Sequence, residues 1–449
     1  MTTTPSPPRS VDVAVVGAGL AGLAAARTLA GNGLAVAVLE GSDGVGGRVR
    51  TDVVDGWRAD RGFQLLNPTY PALGRYVDVA ALRLQPLGVG VVTVLPDGRR
   101  VVLPDPRRRP LQALRAIPAL GDGALADVVG LARLVARSVL AGTRRLESGP
   151  DTGWHDALDA AGLRGGLRRR VVEPFLTGTL ADADGTTSRR YVDLVLRSFA
   201  AAALAGPPGV PTGGMQAFAD ALAAPVRDHV HLGAAVRSLA RADPGWTLRT
   251  TVGEVAARAV VLATDGPAAA DLTGRPAPAM RGLTTFWHVT DAPPTEPDRS
   301  RYLHVDGGGA HRRPGGLVNT VVLSRSAPSY RAPGAAAGAE LVATTVLGDR
   351  PGAEPQARLA AGRALGCDPR GWRLLVTHAI PRALPVALPA LDVRSPVDLG
   401  GGLVVAGDHR DTPSIQGALT SGRRGALAAL RHLAGTPLVP APREAAGAR

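Results

Sequence analysis

Three groups of residues in this chain have the types and spacing needed to bind a large phosphate-containing ligand. The first is a glycine-rich run at residues 17–22, GAGLAG, which directly follows an apolar segment. The second is GGR at residues 46–48, and the third is GD at residues 407–408, followed by small residues from Ser414. Glycine lets a backbone approach a ligand closely, and arginine or a helix N-terminus neutralises phosphate charge. The indicated chemistry is therefore the binding of a dinucleotide-type cofactor.

The glycine-rich run has the position of a dinucleotide-binding turn between a strand and a helix. Residues 11–16 predict a buried parallel strand, and an Ala/Leu-rich helix follows to about residue 30. Gly17 permits the tight turn, Gly19 lets a pyrophosphate approach, and Gly22 lets the helix pack closely on the strand. We therefore expect the N–H groups and the positive end of the helix dipole to face the phosphates.

An acidic residue ends the next predicted strand, residues 34–39. Glu40 lies where its carboxylate can accept hydrogen bonds from a ribose 2′-OH. A carboxylate in this place would repel a 2′-phosphate, which disfavours NADP. The sequence thus predicts an adenine dinucleotide, and a turn without a ligand is the weaker alternative because strand, helix and acid all take their expected places.

The second and third groups favour FAD over NAD. Gly46 and Gly47 let the backbone run along a ligand, and Arg48 can neutralise a pyrophosphate or face a flavin. Ordinary nicotinamide dehydrogenases have no need of this second element. The Gly-Asp pair at 407–408 and a helix that begins at Ser414 predict another anion site, suited to the ribityl-phosphate half of FAD.

Composition indicates a globular protein of two or three domains without a nucleic-acid partner. The chain has 449 residues, of which 45% are hydrophobic and 20% are charged, enough for large cores. The formal net charge is +13, and all 51 basic residues are arginine. These arginines are scattered and lack the interleaved aromatic residues of nucleic-acid platforms.

Cysteine and histidine usage argues against a disulfide framework and against a metal. The single Cys367 excludes an internal disulfide or a cysteine-ligated cluster, and the nine histidines show no metal-ligand spacing. The first ten residues lack the apolar core of a secretory signal, and no run of 18 apolar residues occurs. We expect a cytoplasmic protein, with peripheral membrane contact as an open alternative.

The remaining pattern predicts an α/β protein: a Rossmann-like FAD-binding domain with a parallel sheet, discontinuous in sequence, and an inserted α+β substrate domain. Residues 107–200 are mainly helical in pattern, and short strands follow from Val226 onward.

The predicted FAD-binding domain comprises residues 1–77, 225–275 and 400–449. The predicted substrate-binding domain comprises residues 78–224 and 276–399. The glycine-rich stretch after Glu40 is expected to be an extended excursion that a ligand orders.

The order GxGxxG, E, GGR, GF, GD and S-I-x-G-A resembles the flavin-containing amine oxidoreductase superfamily, which includes amine oxidases, protoporphyrinogen oxidases and phytoene-type desaturases. The resemblance is strong over residues 11–75 and 400–425 and moderate over 210–264. Residues 80–200 and 280–390 carry no matching motif.

The resemblance implies noncovalent FAD and adds three residues to the site. It places Gly62 and Phe63 along the isoalloxazine ring and Val236 against the adenine. Covalent attachment in the family uses a cysteine near the flavin, whereas Cys367 lies well before the tail motif. No catalytic residue is assigned. The predicted cofactor-binding residues are Gly17, Ala18, Gly19, Gly22, Glu40, Gly46, Gly47, Arg48, Gly62, Phe63, Val236, Gly407, Asp408, Ser414, Ile415, Gly417 and Ala418.

The resemblance further implies an FAD-dependent oxidoreductase, and two departures favour a substrate other than an amine. The family's amine oxidases commonly carry a lysine near flavin N5 and aromatic residues around the amine, whereas this chain has no lysine and 3% aromatic residues. Residues 414–418 resemble the tail of plant-type phytoene desaturases. We expect dehydrogenation or isomerisation of a large apolar substrate, phytoene-desaturase-like or protoporphyrinogen-oxidase-like. Hydride would pass to flavin N5, and oxygen or another acceptor would reoxidise the flavin.

Alternatives stay open for the function and for several residues. The alternative functions are those of an amine oxidase acting on C–N bonds and of a noncatalytic, lipid-associated FAD-binding protein. The helix predicted at 125–146 is a membrane-facing amphipathic element or, more simply, a helix with one core face. Six side chains are weaker site candidates that a core or loop position explains as well: Tyr302, His304, Tyr330, Trp372, His409 and Asp411.

Overall fold

The computed structural model describes residues 6–291 and 301–435. Its strands, in chain order, are β1 (Ser10–Val16), β2 (Val36–Leu39), β3 (Thr51–Val54), β4 (Trp57–Asp60), β5 (Gln85–Pro86), β6 (Gly90–Val94), β7 (Arg100–Pro104), β8 (Gly209–Val210), β9 (Val230–His231), β10 (Val236–Ala242), β11 (Gly245–Thr250), β12 (Gly253–Leu262), β13 (Met280–Thr290), β14 (Leu303–Asp306), β15 (Leu317–Val322), β16 (Glu340–Leu347), β17 (Arg373–Pro385) and β18 (Leu403–Val405). Its α-helices are α1 (Leu20–Ala30), α2 (Leu73–Tyr76), α3 (Pro110–Ala116), α4 (Ala124–Leu140), α5 (Thr143–Ser148), α6 (Trp154–Ala160), α7 (Glu173–Leu180), α8 (Arg189–Ala205), α9 (Met215–Ala223), α10 (Gly266–Thr273), α11 (Leu323–Ser326), α12 (Glu354–Leu365) and α13 (Ile415–Ala434).

The first large sheet has the strand order β10-β11-β12-β1-β2-β9, and β18 pairs with β12 beside β11. β1 pairs in parallel with both β12 and β2, so that Val13 lies opposite Ala259 on one side and Val36 on the other. Val13 and Val15 are fully buried, as expected for a parallel strand covered on both faces. The strands of this sheet come from three stretches of the chain that are far apart in sequence.

The second large sheet has the order β17-β13-β16-β15-β14-β6-β7 and is antiparallel except between β14 and β6. One face is covered by α12, where Ala361 and Leu365 pack with Val322 and Val342. Helices α4, α6, α7 and α8 form a separate apolar cluster around Trp154. This helical cluster and the open face of the second sheet lie on opposite sides of one cavity.

The α/β fold class predicted from the sequence is confirmed, and three local features differ from expectation. The stretch after Glu40 contains the β3–β4 hairpin, because Asp55 and Gly56 both adopt positive φ and form the tight turn that an Asp-Gly pair favours. The helix predicted at 125–146 ends at Leu140, because Ala141 is extended, and α5 starts afresh after it.

Helix α9 lies on the other side of the predicted domain boundary from its packing partners. It falls within residues 78–224, the first part of the predicted substrate domain, yet Phe218 and Leu222 are buried in the same core as α1. Among the described residues, no helix combines the length and hydropathy needed to cross a membrane.

A buried carboxylate joins the hairpin to both halves of the molecule. Asp60, at the end of β4, accepts hydrogen bonds from Thr51 Oγ1 (2.5 Å), Tyr330 Oη (2.6 Å) and the backbone N–H of Met215 (3.0 Å). Its own carbonyl accepts a bond from Trp287 Nε1 at 3.1 Å. The residue thereby ties the hairpin to the start of α9 and to the second sheet.

Burial raises the pKa of Asp60 from 3.8 to about 6, despite its hydrogen bonds. The folded state therefore keeps this proton to a higher pH than the unfolded state. The free energy of unfolding should fall, by about 3 kcal/mol from this group, as pH rises from about 4 to about 7. We expect Asp60→Asn to lack this pH-dependent contribution to the free energy of unfolding. Across this pH range the thermal unfolding midpoint of wild type should fall relative to that of the variant as pH rises.

The exposed Asp122 offers a matched control, because its carboxyl group lies in water. Asp122→Asn should show the same pH profile as wild type. If the unfolding midpoint of Asp60→Asn also depended on pH as that of wild type does, the carboxyl of Asp60 would not be titrating in this range.

Candidate active site

A cavity of about 1760 Å³ extends from the glycine-rich turn of the first sheet to the helices that face the second sheet. All but three of the predicted cofactor residues line it. The exceptions, Ala18, Gly22 and Gly417, do not line the cavity but contact its wall, as described below. The cavity is larger than the roughly 300–1,000 Å³ typical of ligand pockets, which leaves room for a cofactor and a second molecule.

The glycine turn has the geometry that the sequence predicts. Gly17 has φ +100°, and a Cβ there would lie 3.0 Å from the carbonyl oxygen of Ala263. A Cβ on Gly22 would lie 1.9 Å from the carbonyl oxygen of Gly17, so only glycine lets α1 pack this close. No side chain caps the start of α1, and a Cβ on Gly19 would meet nothing within 4 Å. The first N–H groups of α1 are thus available to an anion in the cavity.

Glu40 holds the turn from the end of β2. Its Oε2 accepts a hydrogen bond from the backbone N–H of Ala18 at 2.6 Å, and its Oε1 accepts one from Ser42 at 2.8 Å. Each carboxylate oxygen can accept a further bond, and the side chain lines the cavity. This position suits recognition of ribose hydroxyls.

The GGR segment lies directly against the glycine turn. The N–H of Gly46 donates to the carbonyl of Ala18 at 2.9 Å. A Cβ on Gly47 would lie 3.3 Å from the Cα of Gly19, so the two glycine-rich segments are in backbone contact. Both segments therefore present backbone, without side chains, to the same part of the cavity.

Arg48 links the two ends of the chain. Its Nη2 lies 2.7 Å from Oδ1 of Asp408, and its Nη1 donates to the carbonyl of Ala383 at 2.7 Å. Burial disfavours the arginine charge, but the carboxylate of Asp408 outweighs this and holds the pKa of Arg48 above its usual value. Arg48 and Asp408 thus line the cavity together, beside the turn at Gly17.

The tail segment forms the adjoining wall. Ser414 caps α13, because its Oγ accepts the N–H of Gly417 at 3.1 Å, and Ile415 and Ala418 face the cavity. A Cβ on Gly417 would lie 2.0 Å from the carbonyl oxygen of Thr412. A Cβ on Gly422 would lie 2.2 Å from the backbone of α1, so glycine permits the two helices to cross in contact.

The residues predicted to contact the flavin ring connect the hairpin to the second sheet. Gly62 has φ +88°, and a Cβ there would lie 2.9 Å from Cδ1 of Ile380. The N–H of Phe63 donates to Oγ1 of Thr285 at 3.3 Å. Val236, at the start of β10, lines the cavity beside the first sheet.

Sequence reasoning missed the residues that form the far part of the cavity, which we call the chamber. They carry no motif. The helical wall is indicated only by helical spacing of apolar residues in and around the stretch 107–200, and the sheet wall falls where the sequence predicts short strands. The helical wall of the chamber consists of Leu131, Leu134, Val135, Val171, Phe175, Leu176, Val195, Leu196, Phe199 and Ala202. The sheet wall consists of Leu283, Thr285, Asn319, Thr345 and Ile380.

None of the six weaker site candidates lines the cavity. Burial lowers the pKa of His304 and of His409 to about 4, so both rings are neutral near pH 7. Tyr330 is bound to Asp60, as described above. The others that lie outside the cavity lining are Tyr302, Trp372 and Asp411.

Cys367 lies against the core beneath α12 and does not line the cavity. Burial raises the pKa of its thiol to about 11. Since the chain has one cysteine, no thiol is placed for covalent attachment of a cofactor.

Comparison with known proteins identifies the family. Residues 20–430 match the family of flavin containing amine oxidoreductases. The chain is 30% identical over 345 residues to "Putative flavin-containing monoamine oxidase AofH" of Mycobacterium tuberculosis, covering 73% of this chain and 68% of that protein. The chain therefore belongs to the flavin-containing amine oxidoreductase family, and it is an FAD-dependent oxidoreductase.

Solved structures share the fold at low sequence identity. A putrescine oxidase bound to putrescine has a TM-score of 0.64 and 20% identity, covering 94% of this chain and 99% of that one. A CLA-producing fatty acid isomerase from P. acnes has a TM-score of 0.66 and 16% identity, covering 93% and 98%. These likenesses confirm the predicted fold.

The residues present fit noncovalent FAD. The uncapped start of α1 and the open space in front of Gly19 suit a pyrophosphate, and Glu40 suits a ribose. Arg48 and Asp408 lie further along the same cavity, toward the chamber wall. The cofactor would thus extend from the first sheet to the edge of the chamber.

We expect Gly19→Ala to weaken FAD binding without disturbing the apoprotein. Gly19 has ordinary extended backbone angles, so alanine adds no strain, but its methyl group would occupy the space that suits the pyrophosphate. FAD affinity should fall about 10- to 100-fold, or about 1.4 to 2.8 kcal/mol. Titration of apoprotein by flavin fluorescence measures this directly.

Gly74→Ala is the matched control, because a Cβ there also meets nothing within 4 Å but the residue lies outside the cavity lining. It should leave FAD affinity unchanged. Equal affinity in wild type and Gly19→Ala would show that no phosphate lies against this turn.

Proposed function

We propose that this flavoprotein dehydrogenates a large apolar substrate, phytoene-desaturase-like or protoporphyrinogen-oxidase-like in chemistry. The observation that supports this most directly is the continuity of the cavity. The space lined by Gly17, Arg48 and Asp408 opens without a break into the chamber. A substrate in the chamber would therefore lie against the end of the cofactor site that Gly62 and Phe63 border.

The chamber wall supports an apolar ligand. Phe175 and Phe199 lie 5.5 Å apart between ring centroids, and most of the other cavity-lining positions of α4, α7 and α8 are Leu, Val or Ala. The exceptions are Gly178, Thr179, Tyr191 and Ser198. When an apolar ligand displaces water from a space lined by apolar side chains, the burial of apolar surface contributes favourably to the free energy of binding. The apolar character of this wall favours a hydrocarbon-rich molecule over a small amine.

The sheet wall offers a short row of polar groups that would orient the substrate. Thr285 pairs with Thr345 across β13 and β16, and Thr345 pairs with Asn319 across β16 and β15. The two threonine hydroxyls lie 3.2 Å apart. Oδ1 of Asn319 is buried and has no hydrogen-bond partner among the described residues. Such a row suits a substrate with one polar group on an apolar body.

Bound FAD supplies the acceptor for a hydride equivalent, and the protein would position the substrate and keep water away from it. The chamber walls exclude water from the substrate, and the hydrogen bond between Phe63 and Thr285 fixes the loop that borders the ring site. Hydride transfer of this kind needs no side-chain base in the chamber. It agrees with the absence of any lysine from the sequence.

Oxidation of an amine is the second candidate, favoured by the names of the relatives AofH and putrescine oxidase. A cationic amine needs a free carboxylate or an aromatic cage. Asp105, which lines the cavity near α3, is already bound by two nitrogens of Arg107. The other carboxylates that line the cavity are Glu40, Asp265, Asp271 and Asp408, which belong to the first sheet and the segments beside it. The chamber therefore suits a hydrocarbon better than a cationic amine.

The test is anaerobic reduction of the purified yellow protein with three substrate panels: carotenoid precursors, porphyrinogens and amines including putrescine. We expect bleaching of the flavin by a member of the first two panels. Bleaching by amines alone would overturn the proposal in favour of amine oxidation. Firm FAD binding with no bleaching by any panel would favour a noncatalytic protein.

Filling the chamber should separate substrate turnover from cofactor binding. Leu131→Trp and Val195→Trp each enlarge a side chain that lines the chamber far from Gly17. We expect kcat/KM for the large substrate to fall about tenfold or more, with flavin content unchanged. The exposed Leu359 on α12 is the control position, where Leu359→Trp should leave both quantities unchanged. Unimpaired turnover by both chamber variants would show that substrate binds elsewhere.

A further inference from the structure

Helix α4 is apolar on two opposite sides. One side, with Leu134 and Ser138, is buried in the helical cluster. The other side exposes Leu125 and Val129, whose side chains are 63% and 51% accessible. Exposed apolar side chains opposite the buried side of a helix indicate a second contact surface. No described part of the chain covers the outer side.

The exposed residues of α3 and of the outer side of α4, two helices that both contact the turn at residues 117–120 between them, make up a surface that we call the α3–α4 face. Its apolar residues are Leu111, Leu114, Leu125, Val129, Val139 and Leu140, which are 42–84% accessible. The remaining large apolar residues exposed in the described chain are scattered over other elements: Val53, Val252, Leu359, Leu374 and Leu388. Concentration of exposed apolar side chains on one face marks an interaction surface.

Among residues 105–148 the exposed charges are mainly basic, and Asp122, just before α4, is the exposed acid. Arg108, Arg115 and Arg133 are exposed, and no ion pair to a described acid involves them. The acid of α4, Asp127, is buried and accepts the backbone N–H groups of residues 164, 165 and 168. The other exposed arginines nearby are Arg107, Arg109, Arg144 and Arg145.

The α3–α4 face also surrounds part of the cavity rim. Arg107, Arg108 and Leu114 are exposed and line the cavity as well. The apolar and basic residues of the face are therefore continuous with the entrance to the chamber.

We propose that the α3–α4 face docks on the surface of an anionic phospholipid bilayer. Apolar side chains would enter the interfacial region while the surrounding arginines bind lipid phosphates. A second copy of the chain fits this face less well, because a symmetric contact would bring its arginines against one another. The proposal concerns attachment and does not depend on which substrate the chamber holds.

Vesicle co-sedimentation of the flavin-loaded protein tests the proposal. We expect binding to vesicles of equal parts phosphatidylglycerol and phosphatidylcholine, little binding to pure phosphatidylcholine, and weakening as NaCl is added. Two variants each address one component of the face: Leu125→Gln with Val129→Gln, and Arg109→Glu with Arg115→Glu. Each should lower the partition coefficient about tenfold or more. None of the four residues lines the cavity, so flavin content should not change.

Matched controls place the same chemical changes elsewhere on the surface. Val252→Gln with Leu359→Gln removes two exposed apolar side chains, and Arg227→Glu with Arg363→Glu reverses two exposed charges. These variants should bind anionic vesicles more tightly than their α3–α4 counterparts, close to the wild-type level.

Three results would overturn the proposal. One is the absence of wild-type binding to anionic vesicles. Another is equal loss of binding in the control and α3–α4 variants. The third is a wild-type dimer in sedimentation velocity that Leu125→Gln with Val129→Gln converts to monomer, which would assign the face to a second copy.

Discussion

The ion pair between Arg48 and Asp408 is the contact on which the site depends. These residues are 360 positions apart in sequence, and their 2.7 Å contact forms only when the tail has returned to the first sheet. Loss of either partner would leave a charge facing the cavity wall without its counterion, which is costly where water is scarce. The crossing of α13 over α1 at Gly422 brings the two elements into place. Return of the tail to the first sheet therefore completes the cavity wall that suits the cofactor.

The two ends of the chain were predictable from the sequence because their signals are local. At Gly17, Gly19 and Gly22, residue type and spacing within six positions determine the turn. The Asp55-Gly56 turn was equally local, but the sequence interpretation overlooked it. The chamber was a different problem, since its walls come from α4, α7, α8 and four strands, β13, β15, β16 and β17, with no shared motif. Only the register of β13, β15 and β16 brings Thr285, Thr345 and Asn319 together, and no local pattern encodes that pairing.

The cofactor region and the chamber differ in character. Backbone N–H groups and glycines surround the cofactor region, and few substitutions there are compatible with the close contacts at Gly17 and Gly22. The chamber consists of ordinary apolar side chains, which can be exchanged at modest cost.

The exclusive use of arginine has a consequence for the basic rim of the α3–α4 face. A guanidinium group keeps its proton at every pH that a cell reaches, and it is not a substrate for lysine acetylation. Neither acidification nor acyl transfer can therefore switch off the positive potential of this rim. The attraction of these arginines to an anionic surface therefore depends on the ionic strength and on the density of anions on that surface.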